Sequence, residues 1–397
     1  MLSVCNGYIK RYAAAVGILA ASVMVLVNSE QAAEAVRRGI SMCVQSVIPS
    51  LFPMIFLSQY LIKSGGAEEI GSLLNKPTKL IFGLPGVCGV ALMTGMFGGF
   101  PAGARAAETL TESGAITRRQ GQRLATIAFC SGPGFTIGMV GAELYKNKSA
   151  GLLILTAQII SSIIIGMTMR LFSGKKLMPS DALGYSNSAK AAGRADAFVE
   201  SAADAASTVI AMSSFIVVFQ VIAAMLDAAR INAYFSSLFG RLGAQQLGEC
   251  IVPCITEVTG GSILSVNIGL PFTAFVVGFG GLSVHFQNFA VCRKIRLNKL
   301  QYIFVRLIQG GICTIVVSLA LKLPCFAEVC SPVSIALDEA STVHFSRISG
   351  SFGVIMLVMC LMSVICLPSQ SIKFKAKEKS DVYEPFKILR KKHNPVV

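Results

Sequence analysis

Apolar runs of membrane-crossing length alternate with short polar, basic connections along the chain. The runs 12–28, 42–62, 121–144, 149–170, 197–226, 271–291, 301–321 and 351–367 approach or exceed the length needed to cross the bilayer core, roughly 20 residues. Two further stretches, 86–113 and 244–270, are apolar but broken. The first is interrupted at Gly98-Gly99-Phe100-Pro101, with Gly103 just beyond, and the second at Gly260-Gly261. Adjacent glycines and a proline sit poorly inside an uninterrupted helix. The piece from Gly86 to Phe97 is too short to cross about 30 Å of hydrocarbon. The pattern therefore predicts hairpins that enter and leave on one side. The expected fold class is an all-α polytopic membrane protein with about eight transmembrane helices and two re-entrant helical hairpins.

Two of the spans are themselves interrupted, at Cys130-Ser131-Gly132-Pro133-Gly134 and at Gly278-Phe279-Gly280-Gly281. The plan recurs at an offset of 162 residues, which aligns Thr94 with Thr256, Gly98 with Gly260 and Gly99 with Gly261. The span opening the first half starts outside and the one opening the second half starts inside. The two halves therefore read as an inverted-topology repeat. The expected segments are 1–40 (first span and connecting helix), 41–172 (first repeat), 173–196 (polar linker), 197–322 (second repeat), 323–368 (external loop and last span) and 369–397 (basic tail).

Composition agrees with this reading. The chain is 53% hydrophobic and 14% charged, against about a quarter charged in soluble domains. A net charge of +15 would point to nucleic acid in a soluble chain. Here the basic residues flank apolar runs, as Lys63, Lys76 and Lys79, then Arg118, Arg119 and Arg123, then Arg293, Lys294 and Arg296 do. That places these connections and both termini on the cytoplasmic side and makes the lipid bilayer, not nucleic acid, the expected partner. The first span reads as retained, not as a cleaved signal. Most of the 12 cysteines fall inside apolar runs and read as packing residues. Cys325 and Cys330 flank the external loop, and their pairing stays open. No spacing suits a metal, so no cofactor is expected. GxSxG, Walker A and HExxH motifs are absent, so the chain is not expected to be an enzyme or to drive transport with its own ATP site.

The four breaks carry the candidate chemistry. Broken backbone survives in an apolar chain only where protein or a wet cavity satisfies it, which makes such segments pointers to a transport site. Half-helix N-termini suit an anion, and unwound carbonyls suit a cation. The candidate solute-binding set is Gly98, Gly99, Phe100, Pro101 and Gly103; Ser131, Gly132, Pro133 and Gly134; Glu257, Thr259, Gly260, Gly261 and Ser262; and Gly280, Gly281, His285 and Gln287. Glu257 is the sharpest, because an acid at membrane depth is a functional residue by default. It can bind solute, hold a coupling cation or carry a proton, or it can simply line a wet vestibule. His285 and Gln287 can bind solute or join helices. Arg105 can offset an anion, pair with Glu108 or reach the inner surface.

The ordered motifs Pro49 to Pro53 (PSLFP), 83–86 (GLPG), 98–104 (GGFPAGA), 130–135 (CSGPGF) and 257–261 (EVTGG) resemble those of sporulation integral membrane proteins of the YlbJ type, in the nucleoside-recognition or Gate group. The resemblance covers roughly residues 40–325. It implies a fold similar to the concentrative nucleoside transporters. It also implies a role in spore formation, in passing a small dianion such as dipicolinate across the outer forespore membrane. A homo-oligomer or a sporulation membrane partner stays open, as does a non-transporting scaffold.

Overall fold

A computed structural model describes residues 2–172 and 193–324 of the 397. Residues 173–192 of the expected linker 173–196, the external loop and last span from 325 onward, the basic tail and the pair Cys325 and Cys330 lie outside the described residues, while 194–196 already belong to the helix that follows. All regular elements among the described residues are helical.

Helix α1 (Leu2–Val27) is apolar and exposes Val16, Leu19, Val23 and Leu26. A 92° bend leads into α2 (Ser29–Met42). The helix then passes through a π-helical stretch, Cys43–Val47, into α3 (Ile48–Lys63), with Pro49 in the first turn of α3. Proline has no N–H and crowds the carbonyl four residues back; a wider π turn is one way a helix absorbs that. The short α4 (Gly66–Phe82) follows.

The first hairpin comes next. The chain leaves the helix for a single residue, Gly99, at φ 86° and ψ −179°, a conformation essentially reserved for glycine. Helices α5 (Cys88–Gly98) and α6 (Phe100–Glu112) fold back on each other so closely that a Cβ on Gly103 would lie 2.7 Å from Gly95 Cα. Helix α7 (Arg118–Ile127) starts with a reciprocal Thr117–Gln120 cap. It unwinds at 128–131 and resumes as a π-helical segment, Gly134–Leu144. Helix α8 (Lys148–Phe172) closes the first half.

The second half follows the same order: long α9 (Arg194–Ala228), short α10 (Ile231–Gly240), broken pair α11 (Gln245–Thr256) and α12 (Val258–Ser265), broken pair α13 (Leu270–Phe279) and α14 (Gly281–Val291), and long α15 (Lys299–Ala320). The halves meet where α3 packs on α9 and α8 on α15. One expectation needs correction. The second hairpin does not break at Gly260-Gly261, which lie inside α12, but at Glu257, whose backbone is extended. The Glu257 carboxylate accepts a hydrogen bond from the Gly260 N–H at 2.7 Å and so caps α12. Gly261 serves close packing instead, since a Cβ there would lie 2.8 Å from Cys254 Cα.

Four helical segments among the described residues are long and apolar enough to cross a membrane: Lys148–Phe172, Arg194–Ala228, Leu270–Val291 and Lys299–Ala320. The bent α1–α2 pair makes five if counted as one. Of the other expected spans, 351–367 is not described, 42–62 corresponds largely to the 16-residue α3, and 121–144 is the interrupted α7 segment. Burial separates these helices. The broken span Leu270–Val291 is 72% buried over its most apolar window, against 28% for α9 and for α15.

Polar contacts tie the halves together at one end. Glu108, 1% exposed, accepts hydrogen bonds from the amides of Lys294 (2.5 Å) and Ile295 (3.1 Å) in the α14–α15 connection. Arg118 and Gln122 donate to the Ile295 carbonyl at 2.8 and 3.1 Å. Arg105 turns from Glu108 and pairs with Asp204 of α9 at 2.9 Å, which also holds Lys63 at 2.8 Å.

Two substitutions test this frame. Glu108→Ala leaves two amides without acceptors, at about 1–3 kcal/mol each, and thermal unfolding in detergent should move to clearly lower temperature. Glu108→Gln keeps one carbonyl oxygen and should lose less. Gly99→Ala should lose about 1–3 kcal/mol by the same measurement. Its Cβ would come no closer than 3.4 Å to another group, the Ser131 carbonyl oxygen, so the loss is backbone strain and not a clash.

Candidate functional site

The four breaks lie against one another. A Cβ on Gly132 would come within 3.2 Å of Gly99 N, so the tip of the first hairpin rests on the unwound part of the α7 segment. The second half repeats this contact: a Cβ on Gly281 would come within 3.1 Å of Glu257 N, so the second tip rests on the α13–α14 break. The two breaks touch where Phe129 meets Gly280, whose Cβ would lie 2.8 Å from the ring. Gly132, Gly280 and Gly281 also take positive φ (76°, 85° and 72°), which together with this close approach favours glycine at all three.

Between the tips is a cavity of about 150 Å³. The first hairpin contributes Gly98, Gly99, Phe100 and Pro101, and the α7 segment contributes Ser131, Gly132 and Gly134. From the second half come Glu257, Thr259 and Gln287. Of the residues expected to bind solute, Gly103, Pro133, Gly260, Gly261, Ser262, Gly280, Gly281 and His285 do not line it. They stand behind the lining. Gly103 packs on Gly95, Gly260 donates to Glu257, and the Ser262 hydroxyl donates to the Val258 carbonyl at 2.6 Å. His285 is fully buried, with Nε2 at 2.8 Å from the Phe279 carbonyl at the end of α13.

Glu257 is the one ionisable side chain among the residues lining the cavity. It is 7% exposed, and one of its oxygens is committed to its own helix. The Ser131 amide donates to Gln158 Oε1 at 2.9 Å, and Gln158 Nε2 donates back to the Ser131 hydroxyl at 2.8 Å. Gln287 Nε2 donates to Ser283 at 3.2 Å. By contrast, the N-terminus of α6 at Gly99 and Phe100 has no side-chain cap. The two hairpin tips are therefore chemically unequal: the α6 start has no side-chain cap, though Pro101 lacks an N–H and the Ala102 N–H donates to the Gly99 carbonyl at 3.2 Å, while the α12 start is closed by an acid. Among the described residues no group of three His, Cys, Asp or Glu side chains is placed to hold a metal.

Several contributors are not singled out by sequence. Met42, Val47, Ser50 and Leu51 from the α2–α3 passage and Ile216 from α9 complete the wall. Their signal was the proline-rich PSLFP motif, which marks that passage but not its inward face. Gln158 and Arg306 are both fully buried in α8 and α15. Each is a polar side chain inside an apolar span, which is the available signal.

The chain is similar to the sporulation integral membrane protein YlbJ of Bacillus subtilis (strain 168). The two are 28% identical over 324 residues, which cover 75% of this chain and 79% of that protein. No family model matches the chain, and no solved structure matches it. The similarity and the long apolar helices support an integral membrane protein, helical throughout its described regular elements, and agree with the resemblance to the YlbJ type.

Proposed function

We propose that this chain is a membrane transporter or facilitator, not an enzyme, for a small anionic solute of the dipicolinate kind needed in spore formation. The observation that carries this reading is the convergence of two hairpin tips and an unwound span on one cavity. A protein that only scaffolds gains nothing from interrupted helices packed deep inside it, whereas a carrier uses their free backbone groups. The recurring element order supports an inverted-topology repeat of eight spans and two re-entrant hairpins, as in the concentrative nucleoside transporters. The basic connections support cytoplasmic termini, and the relative's name, a sporulation integral membrane protein, fits a membrane of the sporulating cell, for which we propose the outer forespore membrane. The start of α6 has no side-chain cap and its dipole suits a negative group, although Pro101 brings no N–H and the Ala102 N–H donates to Gly99. Phe97, Phe100 and Phe135 give the cavity aromatic walls, which suit a flat ring. That feature also favours a second reading, a nucleoside carrier.

Uptake into proteoliposomes separates these readings. Dipicolinate should accumulate and uridine should not. The reverse result selects the nucleoside reading, and no flux of either with correctly inserted protein leaves a scaffold. Glu257→Gln retains an oxygen to accept from Gly260, so the hairpin should keep its fold. Flux should nonetheless fall about tenfold, the effect of about 1.4 kcal/mol on a barrier. Parental flux in this variant would reduce Glu257 to a cavity wall.

A further inference from the structure

Arg306 lies in the third turn of α15, fully buried. One guanidinium nitrogen donates to Gln309 and another to the Thr126 carbonyl near the end of α7, while Nε has no partner. Among the described residues no carboxylate lies within ion-pair distance. The guanidinium instead sits over the Phe129 ring at 4.2 Å and the Tyr302 ring at 5.1 Å. A buried charge without a counter-ion costs several kcal/mol. Capping α7 does not require that charge. The helix end offers only about half a unit of negative charge, and the neutral Gln309 already donates to the Phe129 carbonyl at 3.1 Å. What lies beyond Phe129 is the cavity: its ring contacts Phe100 at 4.4 Å, and Phe100 is part of the lining.

We infer that Arg306, held behind the Phe129–Phe100 ring pair without an acidic partner, supplies the positive field that offsets the Glu257 carboxylate in the lining and so lets the cavity select a negatively charged solute. It is a specificity-determining residue that does not touch the solute. The inference rests on the transport reading above and deepens it. In a poorly screened interior a unit charge acts across such a layer at a strength worth roughly tenfold in affinity.

The test uses full-length protein in liposomes and two probes of one shape, pyridine-2,6-dicarboxylate and its uncharged diamide. The parent should prefer the dianion. Arg306→Lys should keep that preference, and Arg306→Gln should shift the uptake ratio about tenfold toward the diamide. A purely structural arginine would lower the amount or stability of inserted protein and leave the ratio unmoved, and that result overturns the inference. If Arg306→Gln does not insert, competition on the parent protein decides. Dianion, monoamide and diamide should inhibit uptake in that order, and equal inhibition overturns the role of charge. A parent that carries neither probe defeats the transport reading itself, and this inference with it.

Discussion

The backbone of an interrupted helix has nowhere to go in an apolar protein. Its free N–H and C=O groups find no water in hydrocarbon, so other parts of the chain must shield or satisfy them. The arrangement here follows from that constraint. The broken span Leu270–Val291 is the most enclosed of the long apolar segments, while the unbroken α9 and α15 leave most of their apolar windows uncovered. Each hairpin tip is set on the unwound part of a neighbouring span, glycine against backbone. The cavity is the space left where these mutually shielding breaks do not fully close.

Much of this was legible in the sequence, because the breaks are written in residues with few alternative uses. Gly99 adopts a backbone that other residues resist, and the expected interruption falls there. The second tip was misplaced for a physical reason. Gly260-Gly261 looks like a break, yet a glycine pair can also serve close packing inside a helix, and Gly261 does so against Cys254. The actual break is set by an acid acting as a cap. Glutamate is uncommon in that role, so the pattern of residue types gave it little weight. The two largest polar contributors behind the site, Arg306 and Gln158, lie in spans whose overall apolar character hides a few buried polar positions.

Span counting was less legible. Length and hydropathy recognise an uninterrupted helix, and this chain interrupts several. The 16-residue α3 is too short alone, but it continues from α2 through a π-helical stretch. The α7 segment is divided by its unwound residues. Both features are local departures from the helical ladder, and a window average smooths them away.

The length of α9 has a consequence of its own. At about 1.5 Å per residue, its 35 residues reach about 50 Å, well beyond the hydrocarbon thickness of about 30 Å. One end must therefore stand clear of the lipid tails. Its first turns carry Asp196, Glu200 and Asp204, and Asp204 receives Lys63 and Arg105 from two other helices. This ionic collar joins α3, α6 and α9 at one level of the bundle, and charges gathered there belong at the polar edge of a bilayer and not among the lipid tails.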